Sequence, residues 1–209
     1  MTMDRPLLAV LDYGIGNLRS AQKAFERVGA DARLTADHGL IADAAAVVLP
    51  GVGNFGRCME ALRDARLHDV ALDAVESGRP FLGICVGMQM LFDASEESPG
   101  VRGLGVVPGT VQWLPTSVKR PQIQWNRLDV VRPGPLLPHD SVERWVYFVH
   151  SLHAVPRDPD VVTATCEYGA TVVAAIEQRN VTAFQFHPEK SGPTGLALLA
   201  AFARAAVPA

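Results

Sequence analysis

The stretch Pro80-Phe81-Leu82-Gly83-Ile84-Cys85-Val86-Gly87-Met88-Gln89 runs a short apolar strand into a cysteine and opens a helix just beyond it. Glycines stand two residues before Cys85 and two after it. That spacing is the pattern of a nucleophile elbow, with cysteine where serine is more common. Such a turn is so tight that the nucleophile takes strained backbone angles, and side chains at the flanking positions would collide. It leaves the sulfur above the end of the sheet. The first turn of the following helix offers unpaired N–H groups and a positive dipole end to negative charge at that point, and the Val86 N–H is placed to bind an oxyanion. The plainer alternative is a buried structural cysteine in a glycine-containing turn, since free cysteines are often buried.

Upstream of this turn, strands alternate with helices. Leu7 to Leu11 is a continuous apolar run. Leu18, Ala21, Phe25 and Val28 recur at three- and four-residue spacing, which predicts an amphipathic helix closed near Gly29. Residues 44–49 form a second buried strand that ends at Pro50, and a helical region follows through Leu62, Leu67, Val70, Ala71, Ala74 and Val75 to Gly78. Pro80 opens the strand 81–84, and residues 88–92 begin the next helix. Continuous rather than alternating strands, separated by helices, predict an α/β fold with an open, mostly parallel sheet covered on both faces. Beyond residue 99 the pattern changes. Strand-like runs follow closely at 123–131, 145–149, 161–166, 171–176 and 181–186, several of them expected as antiparallel additions, and residues 196–203 are a terminal helix. Neither an internal repeat nor a low-complexity linker interrupts the chain, so residues 1–209 are read as one domain.

One late strand supplies a second constellation, Phe184-Gln185-Phe186-His187-Pro188-Glu189. An apolar strand ends at His187, and Pro188 stops the ladder. On extended backbone His187 and Glu189 point to the same side. Glu189 then accepts from one imidazole nitrogen while the other faces a nucleophile, which fixes the tautomer and supports the imidazolium. Both constellations lie at strand ends, where an open α/β sheet places its active site. Together they are the parts of a Cys-His-Glu acyl-transfer apparatus, although the sequence does not show that they share one end of the sheet.

The rest of the chain narrows the chemistry. With 209 residues, 48% apolar and 20% charged, the composition suits a folded soluble protein. The formal charge of -3 and the lack of a basic stripe give no support for nucleic-acid binding. The first apolar run is too short for a signal peptide or a membrane span. Three widely spaced cysteines, Cys58, Cys85 and Cys166, fit a reducing compartment, and a cytoplasmic location is expected. Pro50-Gly51-Val52-Gly53-Asn54-Phe55 lacks the lysine and hydroxyl of a Walker loop, and Asp12-Tyr13-Gly14-Ile15-Gly16-Asn17 carries Arg19 where a dinucleotide fingerprint needs glycine. His150 and His153 have no evident third ligand, so neither metal nor cofactor is expected. His38, His68 and His139 read as surface or loop residues, and Trp113 and Trp125 as packing or interface residues.

These residues resemble the triad glutamine amidotransferases. The finer pattern is similar to the glutaminase subunits of imidazole glycerol phosphate synthase, over essentially the whole chain. It rests on Cys85-Val86-Gly87-Met88-Gln89 with His187-Pro188-Glu189, and on Asp12-Tyr13-Gly14 with Gly16-Asn17, Leu49-Pro50-Gly51-Val52-Gly53, Trp125-Asn126, Tyr147-Phe148-Val149-His150-Ser151 and Glu189-Lys190-Ser191-Gly192. Sister branches usually carry histidine where Met88 stands. The resemblance implies a flavodoxin-like fold with added antiparallel strands and a catalytic triad of Cys85, His187 and Glu189. It implies an oxyanion hole from the Val86 N–H and an N–H of the Gly51-Val52-Gly53 strand, which in this family is thought to reorient when the partner binds its ligand. Gln89 and the Ser151 and Leu152 backbone would hold L-glutamine. The partner would be a (β/α)8 cyclase subunit in a heterodimer, receiving ammonia to make imidazole glycerol phosphate and aminoimidazole carboxamide ribotide in histidine biosynthesis. Lys190, Asn17, Trp125 and Asn126 resemble residues near that contact.

The chain departs from the family once. Pro121-Gln122-Ile123-Gln124-Trp125-Asn126 has Gln122 for a histidine and Gln124 for a glycine, which puts interface geometry and coupling in question. Competing readings are a glutaminase subunit of a sister amidotransferase, a free-standing cysteine peptidase or γ-glutamyl hydrolase on the same fold, and a scaffold with an inert Cys85.

Overall fold

A computed structural model describes residues 5–138, 140 and 142–207; His139 lies outside them. In chain order the first half holds β1 (Leu7–Leu11), α1 (Leu18–Arg27), β2 (Asp31–Thr35), α2 (His38–Asp43), β3 (Ala46–Gly51), α3 (Phe55–Asp64), α4 (His68–Glu76), β4 (Phe81–Cys85) and α5 (Val86–Gln89). The second half holds β5 (Ala94–Ser95), β6 (Gly109–Trp113), β7 (Gln122–Arg127), β8 (Asp129–Val130), β9 (Trp145–His150), β10 (Leu152–Pro156), β11 (Val162–Glu167), β12 (Thr171–Gln178), β13 (Val181–Phe184) and α6 (Gly192–Ala205).

Eight strands form the central sheet in the order β2-β1-β3-β4-β13-β12-β11-β8. From β2 to β13 all neighbours are parallel, and β12, β11 and β8 extend the sheet antiparallel. β1, β3 and β4 are buried almost throughout, as expected of strands covered on both faces. Phe25 of α1 meets Phe202 of α6 with ring centroids 6.0 Å apart. Burying an aromatic of this size contributes about 2–3 kcal/mol. α1 presents Leu18, Ala21, Ala24 and Phe25 inward. It ends at Gly29 (φ +94°), where the Gly29 N–H bonds Glu26 O and the Ala30 N–H bonds Phe25 O. That paired arrangement is a Schellman motif, which a left-handed glycine permits.

Several boundaries differ from expectation. β3 runs through Pro50 to Gly51, because a proline near a strand end forfeits only a donor. The helical region after it is two helices, broken where Arg66 turns left-handed (φ 58°). α5 is a single turn, so the helix expected at 88–92 does not propagate. The run at 123–131 splits into β7 and β8. β7 pairs with β9 as a separate two-stranded ribbon, and β5, β6 and β10 make a third sheet. The antiparallel additions to the main sheet are therefore β8, β11 and β12 alone among the described residues. β13 stops at Phe184 rather than running to His187.

Candidate active site

The parallel register decides where the two constellations meet. β3, β4 and β13 are neighbours, with Gly51 opposite Cys85 and Phe184 opposite Ile84. Their C-terminal ends therefore lie at one end of the sheet, and the chain beyond β13 arrives beside the elbow.

Cys85 adopts φ 55° and ψ −112°, a left-handed conformation in a residue with a Cβ. Such strain costs on the order of 1–3 kcal/mol and persists only where the surroundings enforce it. Here α5 folds back against β3. A Cβ on Gly87 would stand 1.8 Å from Leu49 O, so only glycine allows the approach. A Cβ on Gly83 would crowd Gly87 O and the Met88 backbone at 3.0 Å. The two glycines thus serve the packing of α5 on both strands. The first N–H groups of α5, that of Val86 included, have no partner within the helix.

His187 is buried, and its Nδ1 lies 2.7 Å from Glu189 Oε1. Extended backbone does not bring the two together as expected. Residues Pro188–Lys190 form a 3-10 turn that folds Glu189 back under the ring. The His187 N–H donates to Tyr147 O at 3.0 Å, tying this turn to β9. Ser191 completes the tie, its hydroxyl donating to His187 O at 2.6 Å and accepting from the Tyr147 N–H at 2.9 Å. The ring also interacts with the Cys85 thiol, which favours its protonated form. Burial alone would lower the imidazole pKa, but the hydrogen bonds and charges of Cys85 and Glu189 outweigh it and raise it to about 10.

These groups open on a cavity of about 510 Å³ lined among others by Cys85, His187, Val86, Val52, Gly53, Gln89, Ser151 and Leu152. Asn17 and Lys190 line it too, so two of the expected interface residues border the site itself. The Gln89 amide nitrogen donates to Leu152 O at 3.2 Å and Gln185 Oε1 at 3.0 Å, which holds the wall of the cavity in place. Gly51 packs so closely that a Cβ there would lie 2.8 Å from the Gly87 nitrogen. His150 is buried with its Nδ1 2.8 Å from Leu152 O. Because a carbonyl only accepts, that nitrogen carries the ring proton.

Glu97 lines the cavity as well and was not anticipated. Its carboxylate accepts the Phe55 N–H at 2.7 Å at the start of α3. The one signal for it in the sequence is the acidic pair Glu96-Glu97 shortly after the elbow. Among the described residues no group of three or more His, Cys, Asp or Glu side chains is arranged to hold a metal.

On the β7–β9 ribbon, Ile123, Trp125 and Trp145 stand 58%, 49% and 48% exposed, with Trp125 edge-on to its cross-strand partner Tyr147. Gln122 is fully buried, its amide directed at Cys166 Sγ, and Gln124 shares the inner face with it. Both departures from the family pattern thus lie behind the exposed face. Asn126 also belongs to the inner side and donates to Glu167 O at 2.9 Å, a contact within the chain.

Comparisons with known proteins identify the family. The family described as glutamine amidotransferase class-I matches residues 9–206. Imidazole glycerol phosphate synthase subunit HisH of Syntrophotalea carbinolica is 47% identical, with 94% of this chain and 98% of the relative covered. The subunit of the same description from Deinococcus radiodurans is 46% identical over 98% of this chain and 96% of its own. The solved structure of PurLQS from Thermotoga maritima shares the fold at a TM-score of 0.73 and 21% identity, covering 95% of this chain and 97% of that one. The chain therefore belongs to the class-I glutamine amidotransferases, among the HisH subunits of imidazole glycerol phosphate synthase.

Proposed function

We propose that Cys85, His187 and Glu189 are the triad through which this glutaminase subunit hydrolyses L-glutamine. The observation that carries the reading is the buried 2.7 Å contact of His187 with Glu189, the same ring interacting with a strained Cys85. His187 holds the proton given up by Cys85, and Cys85 Sγ attacks the carboxamide carbon. His187 then gives that proton to the departing nitrogen, releasing ammonia and leaving a glutamyl thioester. Water adds to the thioester with His187 as base, and glutamate leaves. The N–H groups of Val86 and of the Gly51-Val52 peptide receive the oxyanion, where each donor is worth about 100-fold or more in rate. The Ser151 and Leu152 backbone holds the substrate, and Gln89 supports it through Leu152 O.

The ammonia passes to a (β/α)8 cyclase subunit in a heterodimer, where it is built into imidazole glycerol phosphate. The exposed face of Ile123, Trp125 and Trp145 supports this partnership, since aromatic side chains are enriched at the centres of interfaces. Asn17 and Lys190, at the cavity wall, then stand between the glutaminase site and the partner. Cys58, Cys85 and Cys166 are all free, as suits a cytoplasmic enzyme. Among the described residues no helix is long and apolar enough to cross a membrane.

The test is ammonia release from glutamine by the purified chain, alone and with the cyclase subunit and its nucleotide ligand. Strong release in the complex, abolished by Cys85→Ala, is expected. Equal release in both settings would favour an independent hydrolase.

A further inference from the structure

Two side chains outside the triad hold the chain where β3 ends. The Tyr13 hydroxyl donates to Pro50 O, and the Cys58 thiol donates to Val52 O at 3.3 Å. The hydroxyl and thiol also lie within reach of each other, and a Cβ built on Gly51 would stand 2.9 Å from the Tyr13 hydroxyl oxygen. A buried polar bridge therefore runs from the carbonyl on one side of Gly51 to the carbonyl on the other.

Peptide planarity gives the bridge its consequence. A held carbonyl fixes its whole peptide, including the N–H of the next residue. Pinning Pro50 O orients the Gly51 N–H, and pinning Val52 O orients the Gly53 N–H. Between them lies one peptide the bridge does not grip, Gly51–Val52, whose orientation turns on ψ of Gly51 and φ of Val52. Glycine makes the first of these angles permissive.

We propose that Tyr13 and Cys58 are positioning residues that clamp the peptides flanking Gly51–Val52 and so aim the Val52 N–H at the oxyanion. This rests on the reading of that N–H as an oxyanion donor. The clamp works through neutral donors. Burial pushes the Cys58 thiol up to about 11 and the Tyr13 phenol well above its ordinary range, so both keep their protons at neutral pH.

The test compares Tyr13→Phe, Cys58→Ala and Cys58→Ser in the complex with the cyclase subunit, by glutamine kinetics and by amide hydrogen exchange. Tyr13→Phe is expected to lower kcat about tenfold and Cys58→Ala about threefold, the thiol being the weaker donor. KM stays unchanged, and exchange at Val52 and Gly53 accelerates while β1 and β4 keep their protection. Cys58→Ser, which restores a donor, recovers most of kcat. Unchanged exchange would overturn the clamp itself. Faster exchange with unchanged kcat would overturn the proposal through its premise, by showing that the Val52 N–H is not an oxyanion donor. A loss confined to KM would also overturn it, because the residues would then shape the substrate pocket instead.

Discussion

Nδ1 of His187 and Oε1 of Glu189 stand 2.7 Å apart with their side chains only 3% and 4% exposed. The contact is made inside a 3-10 turn and owes nothing to strand alternation. Glu189 Oε2 finds no partner among the described residues, so the carboxylate is committed to this one ring. An ion pair so placed has given up its hydration, and removing either member leaves an uncompensated buried group.

Glu189→Gln keeps the shape and removes the charge. It is expected to lower kcat for ammonia release at least about 100-fold, because the ring loses the partner that fixes its tautomer and supports its positive form. The same pair has a pH signature. The folded pKa of His187 is raised from 6.5 to about 10, so its contribution to stability is fully present below 6.5 and is lost as pH rises through about 10. Melting temperatures of the wild type should therefore fall across that window, and those of Glu189→Gln should fall less. Parallel curves for the two proteins would contradict the assignment.

His150 shifts the opposite way. Burial pushes its pKa down from 6.5 to about 4, against the bond from its Nδ1–H to Leu152 O, with His153 and His187 adding to the lowering. Above 6.5 it contributes no pH dependence. Below 6.5 the unfolded chain takes up a proton that the folded chain refuses, so stability falls as pH drops towards 4, by on the order of 3 kcal/mol. His150→Asn retains a donor for Leu152 O without an ionisable ring. Urea unfolding at pH 4.5 and 7 should show a smaller acid loss for this variant than for the wild type.

What the sequence disclosed follows from the physics of each segment. β1, β3 and β4 are legible because strands buried on both faces must be apolar without interruption. Cys85 with Gly83 and Gly87 is legible because the tight turn and the close packing of α5 call for glycine on both sides of the nucleophile. β2 escaped notice: in Asp31-Ala32-Arg33-Leu34-Thr35 only Ala32 is buried, as suits an edge strand. The β7–β9 ribbon is hidden for a different reason. Alternation in one strand reports which face is buried, yet says nothing about which strand lies beside it. Glu97 was missed because its place in the cavity depends on the fold of a loop, where one carboxylate among several carries no periodic mark.

Gly87 and Gly53 should respond very differently to alanine. At Gly87 the new methyl would meet Leu49 O at 1.8 Å, a backbone atom that cannot swing aside. Separating α5 from β3 would disturb Cys85 and Gly51 together. A loss above about 3 kcal/mol, with no measurable ammonia release, is expected. At Gly53 (φ +90°) the methyl would meet nothing within 4 Å, leaving only backbone strain of about 1–2 kcal/mol. Denaturant titration of the two variants separates steric from conformational demand, and similar losses would mean that the contact of α5 with β3 is more yielding than its geometry implies.

Trp125 tests the partner surface. The residue is 49% exposed and its ring meets Tyr147 edge-on, so Trp125→Ala should cost the isolated chain less than about 1 kcal/mol. If the β7–β9 face docks the cyclase subunit, a half-exposed tryptophan at its centre is the kind of residue whose truncation costs about 2 kcal/mol or more of binding, some thirtyfold in Kd. Titrating the cyclase subunit into wild type and variant, with ammonia release as the readout, should then move the half-saturation point by that factor while the plateau stays within reach at high partner concentration. Gln124→Gly is the control on the opposite face, and it should leave half-saturation near the wild-type value because Gln124 points away from the exposed side. A Trp125→Ala titration superimposable on the wild type would remove this face from the interface and leave the rim around Asn17 and Lys190 to carry the contact.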